Sequence, residues 1–306
     1  MQEGVEYIFI NDCTPDHSIE ILNEILKEYS NNKSTVRIIN NEHNMGITST
    51  RKIGIKSARG EYVAWVDSDD WVDNNWLSSM YEATQDGSID IVIQNITRHI
   101  FHGNNVKLSE HQLYSVESPQ RALELFYTER HIPRGLPMQM SRLILIQEAI
   151  KNVSEVNYSE DTFTLLYLFL YAQSAVWLEK SYYHYRKINN GQSLTMRNYK
   201  TRQEWLLQKK NIDSICNILD NHPNKKQYRI TSNYIKWRWK VEFKPVFDFP
   251  YEYWNEYKEA YKYICIYTIP DSNIISKIVT WLCVNIYPLF HLRLFIKRGS
   301  SYYNSI

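Results

Sequence analysis

Asp67, Asp69, Asp70 and Asp73 place four carboxylates within seven residues, and Asp12 follows a short apolar run near the amino terminus. Acids clustered this way can hold a divalent cation through hard oxygen ligands, contact the ribose and base of a nucleotide, or cap a helix. An EF-hand does not fit: counted from Asp67, position five is Trp71, Val72 stands at the turn glycine and Ser78 at the bidentate glutamate. A helix beginning near Asn74 needs one capping acid, not four. Glycine-built phosphate cradles are missing as well, since no two of the nine glycines lie two apart and no Gly-x-x-x-x-Gly-Lys loop occurs. A nucleotide diphosphate bound here would need another source of positive charge, which a cation on an Asp-x-Asp pair can supply.

The elements that must present these acids alternate along the chain. Val5 to Ile10 reads as a buried strand that ends at Asn11-Asp12-Cys13-Thr14-Pro15. From Ser18, the residues Ile19, Leu22, Leu26 and Tyr29 recur at helical spacing until Asn31-Asn32. Val36 to Ile39 is a second strand, Ile47 to Ala58 a second helix closed by Gly60, and Tyr62 to Val66 a third strand. A third helix over 74–83 and a fourth strand from Ile89 to Ile93 follow. This alternation predicts an α/β fold with a mostly parallel sheet, flanking helices and right-handed crossovers. Ligands of such sheets sit outside the carboxyl ends of the strands. Asp12 lies just past the first strand and Asp67 to Asp70 just past the third, so parallel pairing brings them to one edge.

With 306 residues, 43% hydrophobic and 23% charged, the chain is globular, of one large or two modest domains, and neither disordered nor collagen-like. Cys13, Cys216, Cys265 and Cys283 are scattered without a CxxC pair, which argues against a zinc knuckle or a disulfide framework and fits a reducing cytosol. Residues 1–100 hold 8 Lys+Arg against 16 Asp+Glu, while 101–306 hold 27 against 18, so the two parts face different partners. The start, Met1-Gln2-Glu3-Gly4, has neither the basic nor the apolar region of a secretory signal.

Three segments, Ile10 to Ser18, Asn44 to Gly54 and Gly60 to Trp71, resemble in order and spacing the family 2 glycosyltransferases of the GT-A fold, a Rossmann-like architecture. The resemblance covers residues 5 to about 195. It implies that Asp12 contacts the uracil of a UDP-sugar and that Arg51 lies beside the nucleotide. It also implies that Asp67 and Asp69 form the DxD pair, with Asp69 the direct ligand of Mn²⁺ or Mg²⁺. Tyr158-Ser159-Glu160-Asp161 resembles the family's Glu-Asp motif, whose aspartate is the catalytic base, here Asp161. Tyr182 to Arg186 followed by Ser193 resembles the segment that closes over the donor, which makes Arg186 a donor contact. The residue reading of Glu160-Asp161 by itself is a helix amino terminus, because Thr162 to Ala172 is apolar and helical. His184 among tyrosines reads as a packed or hydrogen-bonded ring rather than a metal ligand.

The implied activity is an inverting, metal-dependent transfer of a hexosyl-type sugar from a UDP-sugar to a glycan or lipid-linked glycan acceptor, in surface polysaccharide assembly. Family members begin with a further strand and helix, ahead of the segment matching Val5 to Ile10. A second reading follows from that difference, an inactive truncated transferase that serves only as a binding or membrane-associated module. The expected domains are 1–198, the transferase, and 199–306, a helical carboxy-terminal region. From residue 200 onward the chain holds 17 Lys+Arg and 9 Asp+Glu. Lys236-Trp237-Arg238-Trp239-Lys240 interleaves cations with indoles, and Ile278 to Ile296 is mostly apolar but broken by Pro288, His291 and Arg293. Peripheral contact with the cytoplasmic face of a membrane and a helical subdomain with Trp237 and Trp239 in its core are both open readings. Nucleic acid is not an expected partner, because no RRM-like or helix-turn-helix signature accompanies the charge.

Overall fold

The structure, a computed structural model, describes residues 4–28, 35–102, 105–109, 118–128, 135–153, 160–178, 180, 182–188 and 202–242, with 256, 257, 259, 260, 278 and 282 beyond them. The elements run β1 (Tyr7–Asn11), α1 (Ser18–Glu28), β2 (Val36–Asn40), α2 (Gly46–Ser57), β3 (Tyr62–Ala64), β4 (Trp71–Val72), α3 (Trp76–Glu82) and β5 (Ile91–Ile93). They continue with β6 (Ile96–His102), β7 (Asn105–Ser109), α4 (Pro119–Thr128), a 3-10 turn (Leu136–Met138), β8 (Gln139–Arg142), α5 (Leu143–Lys151) and α6 (Glu160–Tyr171). The series closes with β9 (Ala175–Trp177), β10 (Tyr183–Ile188), α7 (Arg202–Asp220) and α8 (Lys225–Glu242). The chain divides into two compact units, Met1–Phe126 with His131–Asn189, and Tyr127–Arg130 with Asn190–Ile306.

Among the described residues, three sheets build the first unit. β1 pairs with β2 in parallel, from Tyr7 opposite Val36 to Asn11 opposite Asn40. A second sheet has the order β3-β8-β5-β9 and a third the order β4-β10-β6-β7. The alternation expected through the fourth strand is present, but its strands fall into separate sheets, and the second of these is mixed. β8 enters between β3 and β5 and runs antiparallel to both. Gln139-Met140-Ser141-Arg142 has no apolar run to announce a strand, because two of its four side chains are polar yet buried. β5, the run Ile91-Val92-Ile93, is buried throughout, as β-branched residues covered on both faces should be. The buried core of this unit also holds Met80, Leu123, Met140, Ile146, Leu165 and Leu166, all 2% exposed or less.

α1 forms where its apolar residues recur at helical spacing, yet none of its residues is buried, and Ile21 and Ile25 are exposed. The Asp67–Asp73 acids do not cap α3: its N-cap is Asn75, without a side-chain cap bond, and the Trp76 amide donates to the Asp73 carbonyl. In the second unit α7 and α8 pack as a helical hairpin around Ile215, Leu219, Ile235 and Trp237. Trp237 is buried with its ring 5.0 Å from that of Tyr234, while the side chain of Trp239 lies outside what the structure describes. Among the described residues no helix is long and apolar enough to cross a membrane. Apart from Ile278 and Leu282, the apolar stretch to Ile296 lies outside the described residues.

Candidate functional site

The site grows from the ends of β1 and β3, where the chain leaves each strand. Asp12 follows β1 directly and turns its carboxylate onto the start of α2. Oδ1 accepts from the Met45 amide at 2.8 Å and the Asn41 side chain at 2.7 Å, and Oδ2 accepts from the Gly46 amide at 2.9 Å. Gly46 adopts φ 79°, a left-handed conformation that glycine takes without a Cβ penalty, and this presents both amides to one carboxylate. Burial works upward on Asp12, but these donors outweigh it and hold its carboxyl below the ordinary range.

α2, fixed in this way, carries Arg51 into the interior. The guanidinium, buried, donates to Glu160 at 2.7 Å and to Asp67 at 3.3 Å, and also bonds Asp161. Glu160 and Asp161 open the first turn of α6, where the helix dipole favours acids. Asp67 stands in the turn after β3. Three carboxylates thus meet one guanidinium, an excess of two negative charges when all are ionised. Burial works downward on Arg51, but Asp161, Asp67 and Glu160 outweigh it and hold its proton more firmly than usual. Asp67 is raised, chiefly by burial with Asp69 adding and Arg51 opposing. Asp161 is pushed up to about 7 by burial, against the pull of Arg51 and with Glu160 and Asp67 adding. A carboxyl poised there is suited to taking a proton near neutral pH.

The third sheet supports the acid turn from below. Tyr183, fully buried on β10, accepts the Asp67 amide at 3.0 Å and donates its hydroxyl to Asp70 Oδ2 at 2.7 Å. The Arg186 amide donates to Asp70 Oδ1 at 2.8 Å, while the Arg186 guanidinium lies 5.7 Å from the centre of the Trp71 ring. Asp70 is pushed up to about 6, by burial first. His184 is hydrogen-bonded, as its setting among tyrosines implied, with Nδ1 2.9 Å from His99 Nε2 and Nε2 3.0 Å from Asp73. Its ring stacks on Trp71 at an interplanar angle of 8°.

Arg51, Asp67 and Asp161 therefore converge, joined by Glu160. Asp12, just past β1, bonds the backbone at the start of α2 and Asn41, and Asp69 is exposed on the turn. Arg186 reaches the turn through its amide. Tyr158, Ser159 and Ser193 lie outside the described residues. Asp70 belongs to the clustered acids and Tyr183 to the Tyr182 to Arg186 segment, but their partnership is not legible in sequence, because only the tertiary pairing across 113 positions brings them together. Among the described residues no three His, Cys, Asp or Glu side chains converge as a metal cage. Cations that bind nucleotide phosphates use one or two carboxylates and take further oxygens from the ligand, so Asp67 and Asp69 fit as a partial set.

Residues 2–145 match the model of Glycosyl transferase family 2. EpsJ, an uncharacterized glycosyltransferase of Bacillus subtilis (strain 168), is 27% identical over 215 residues, which is 67% of this chain and 58% of EpsJ. The minor teichoic acid biosynthesis protein GgaB of the same organism is 26% identical over 310 residues, 98% of this chain and 32% of GgaB. The chain thus spans 58% and 32% of the lengths of these two relatives. Among solved structures, S. aureus TarS 1-349 in complex with UDP superposes with TM-score 0.59 at 18% identity, covering 83% of this chain and 71% of that one. The same protein in complex with UDP-GlcNAc gives 0.58 at 18% identity, covering 85% and 71%. That likeness shows the fold, an α/β GT-A architecture.

Proposed function

We propose, on the premise that residues 2–145 are a glycosyltransferase family 2 domain, that this chain moves a hexosyl-type sugar from a UDP-sugar to a glycan or lipid-linked glycan acceptor, with inversion at the anomeric carbon. The observation that carries this reading is the convergence of Asp67 and Asp161 on Arg51, which sets a proton acceptor beside the acid turn. Asp161 takes the proton of the acceptor hydroxyl. The freed oxygen attacks the anomeric carbon, the bond to the diphosphate breaks, and a single displacement leaves the opposite configuration. Arg51 orients Asp161 and stands beside the nucleotide. Asp12 faces the base, and Arg186 lies at the donor from β10. When bound, a divalent cation on Asp69 and Asp67 supplies the charge that stabilises the leaving diphosphate.

Support for the donor comes from the TarS neighbour seen with UDP and UDP-GlcNAc, and for a wall or surface polymer from the name of GgaB. The expected place is the cytoplasmic side of the membrane, with peripheral contact through the basic carboxy-terminal region; Trp237, being buried, takes no part in that contact. The test is calorimetric titration of UDP with Mn²⁺ and again with EDTA, beside an assay of UDP release across a donor and acceptor panel. Metal-dependent binding that Asp69→Asn abolishes, together with turnover, is the expected result. Binding without turnover on any donor would favour a binding module instead.

A further inference from the structure

We propose that Tyr183 is a positioning residue whose hydroxyl, reaching up from β10, fixes the turn that carries Asp67, Asp69 and Asp70 and so sets the geometry in which Asp67 and Asp69 meet a divalent cation. The proposal rests on the metal-dependent reading above for the identity of the ion only. The phenol oxygen touches both ends of the turn. It accepts from the Asp67 amide at 3.0 Å and donates to Asp70 Oδ2 at 2.7 Å, while the turn closes on itself through the Asp70 amide and the Asp67 carbonyl at 3.1 Å. Asp69 sits between the two pinned residues with its own side chain exposed.

The rest of β10 stays in place without that oxygen. Tyr183 pairs with Val72 and Ile96 in the sheet, the Asp73 amide donates to the Tyr182 carbonyl at 3.0 Å, and the buried ring meets Trp76 edge-on at 6.3 Å. Tyr183→Phe therefore keeps the packing and removes the link. It leaves the Asp67 amide without its acceptor and Asp70 with the Arg186 amide alone at that end. Groups that orient a metal's ligands, rather than ligate it, are read through affinity for the ion.

The experiment uses the full 306-residue chain and Mn²⁺ alone, with free Mn²⁺ followed by electron paramagnetic resonance and backbone hydrogen exchange followed over residues 67–73. Tyr183→Phe is compared with Tyr62→Phe, which loses a hydroxyl bond to the Ile89 carbonyl of 2.6 Å elsewhere in the same unit. The expected result is Mn²⁺ affinity about tenfold weaker in Tyr183→Phe, faster exchange in the turn, and neither change in Tyr62→Phe. Wild-type affinity and wild-type exchange in Tyr183→Phe overturn the proposal, as does an equal loss in Tyr62→Phe. If the wild-type chain itself binds no Mn²⁺, the ion reading fails and exchange alone decides: faster exchange in the turn keeps the positioning role, and unchanged exchange removes it. Should Tyr183→Phe not fold, Asp70→Asn alters the link from its other end while keeping an acceptor for the Arg186 amide, and it is read by exchange over residues 67–73: faster exchange supports the proposal and unchanged exchange overturns it.

Discussion

β1 and β5 are both short apolar strands of the first unit, yet they sit in different surroundings. β5 lies between two neighbours in its sheet, and all three of its residues are buried. Among the described residues β1 pairs with β2 alone, each of its five residues is half-buried, and α1, which links the two strands, buries none of its side chains. The candidate site draws on both regions. α6, which presents Asp161, belongs to the dense side with Leu165 and Leu166, whereas Asp12 comes from the thin layer and acts on the first turn of α2. On the proposed reading, the proton acceptor is thus built where packing is tightest, and the nucleotide rim where side chains hold one another mainly through hydrogen bonds and ion pairs.

The largest effect that can sharpen this contrast falls on Asp161. Asp161→Asn should slow UDP release by about 10²–10⁴-fold, with a thermal midpoint no lower than wild type, because it removes an acid from a crowded buried cluster. An undiminished rate would remove the base assignment. Next comes Arg51→Met, which strands Glu160, Asp67 and Asp161 together and should cost about 3–5 kcal/mol in denaturant unfolding. A cost near zero would show that the three acids are not charged together in the folded chain. The packing half of the comparison is tested by a pair of truncations. Ile146→Ala, at 0% exposure, should cost about 2–5 kcal/mol, and Ile25→Ala, at 50% exposure on α1, should stay within about 0.5 kcal/mol. Equal costs would erase the distinction between the two regions.

The smallest effect concerns how the thin layer is tied. Glu6, just before β1, accepts the Arg37 guanidinium at 2.7 Å and the Gly60 amide at 3.1 Å, and also bonds the Arg59 amide. Burial works upward on Glu6, but these donors hold its carboxyl below the ordinary value of 4.5. A carboxyl depressed by folding adds stability above its unfolded pKa, and that stability is lost as pH falls through the folded value. Glu6→Gln should therefore flatten the acid side of the stability profile by less than about 1 kcal/mol, measured by denaturant unfolding between neutral pH and the acid transition. An unchanged profile would show that Glu6 does not tie the layer.

Much of the scaffold was legible in the chain because its signals are local. Short apolar runs and helical spacing mark β1, α1, β2, α2, β3 and α3, and acids placed just past β1 and β3 mark the edge that matters. β8 was not legible, since Gln139 and Ser141 are polar residues buried by neighbours far along the chain. The strands of the third sheet were missed for a related reason: β4 spans two residues, too few for any periodicity, and β6 and β7 fall in a stretch the spacing rules left unassigned.

The sequence by itself determined which side chains could do chemistry and at which strand ends they stand, since both follow from residue type and local backbone preference. Only the tertiary structure decided who meets whom. Arg51 and Asp161 are 110 positions apart, and Tyr183 and Asp70 113. Their pairing depends on sheet order, and the raised carboxyls of Asp161 and Asp70 depend on the desolvation that this packing brings, neither of which local spacing encodes.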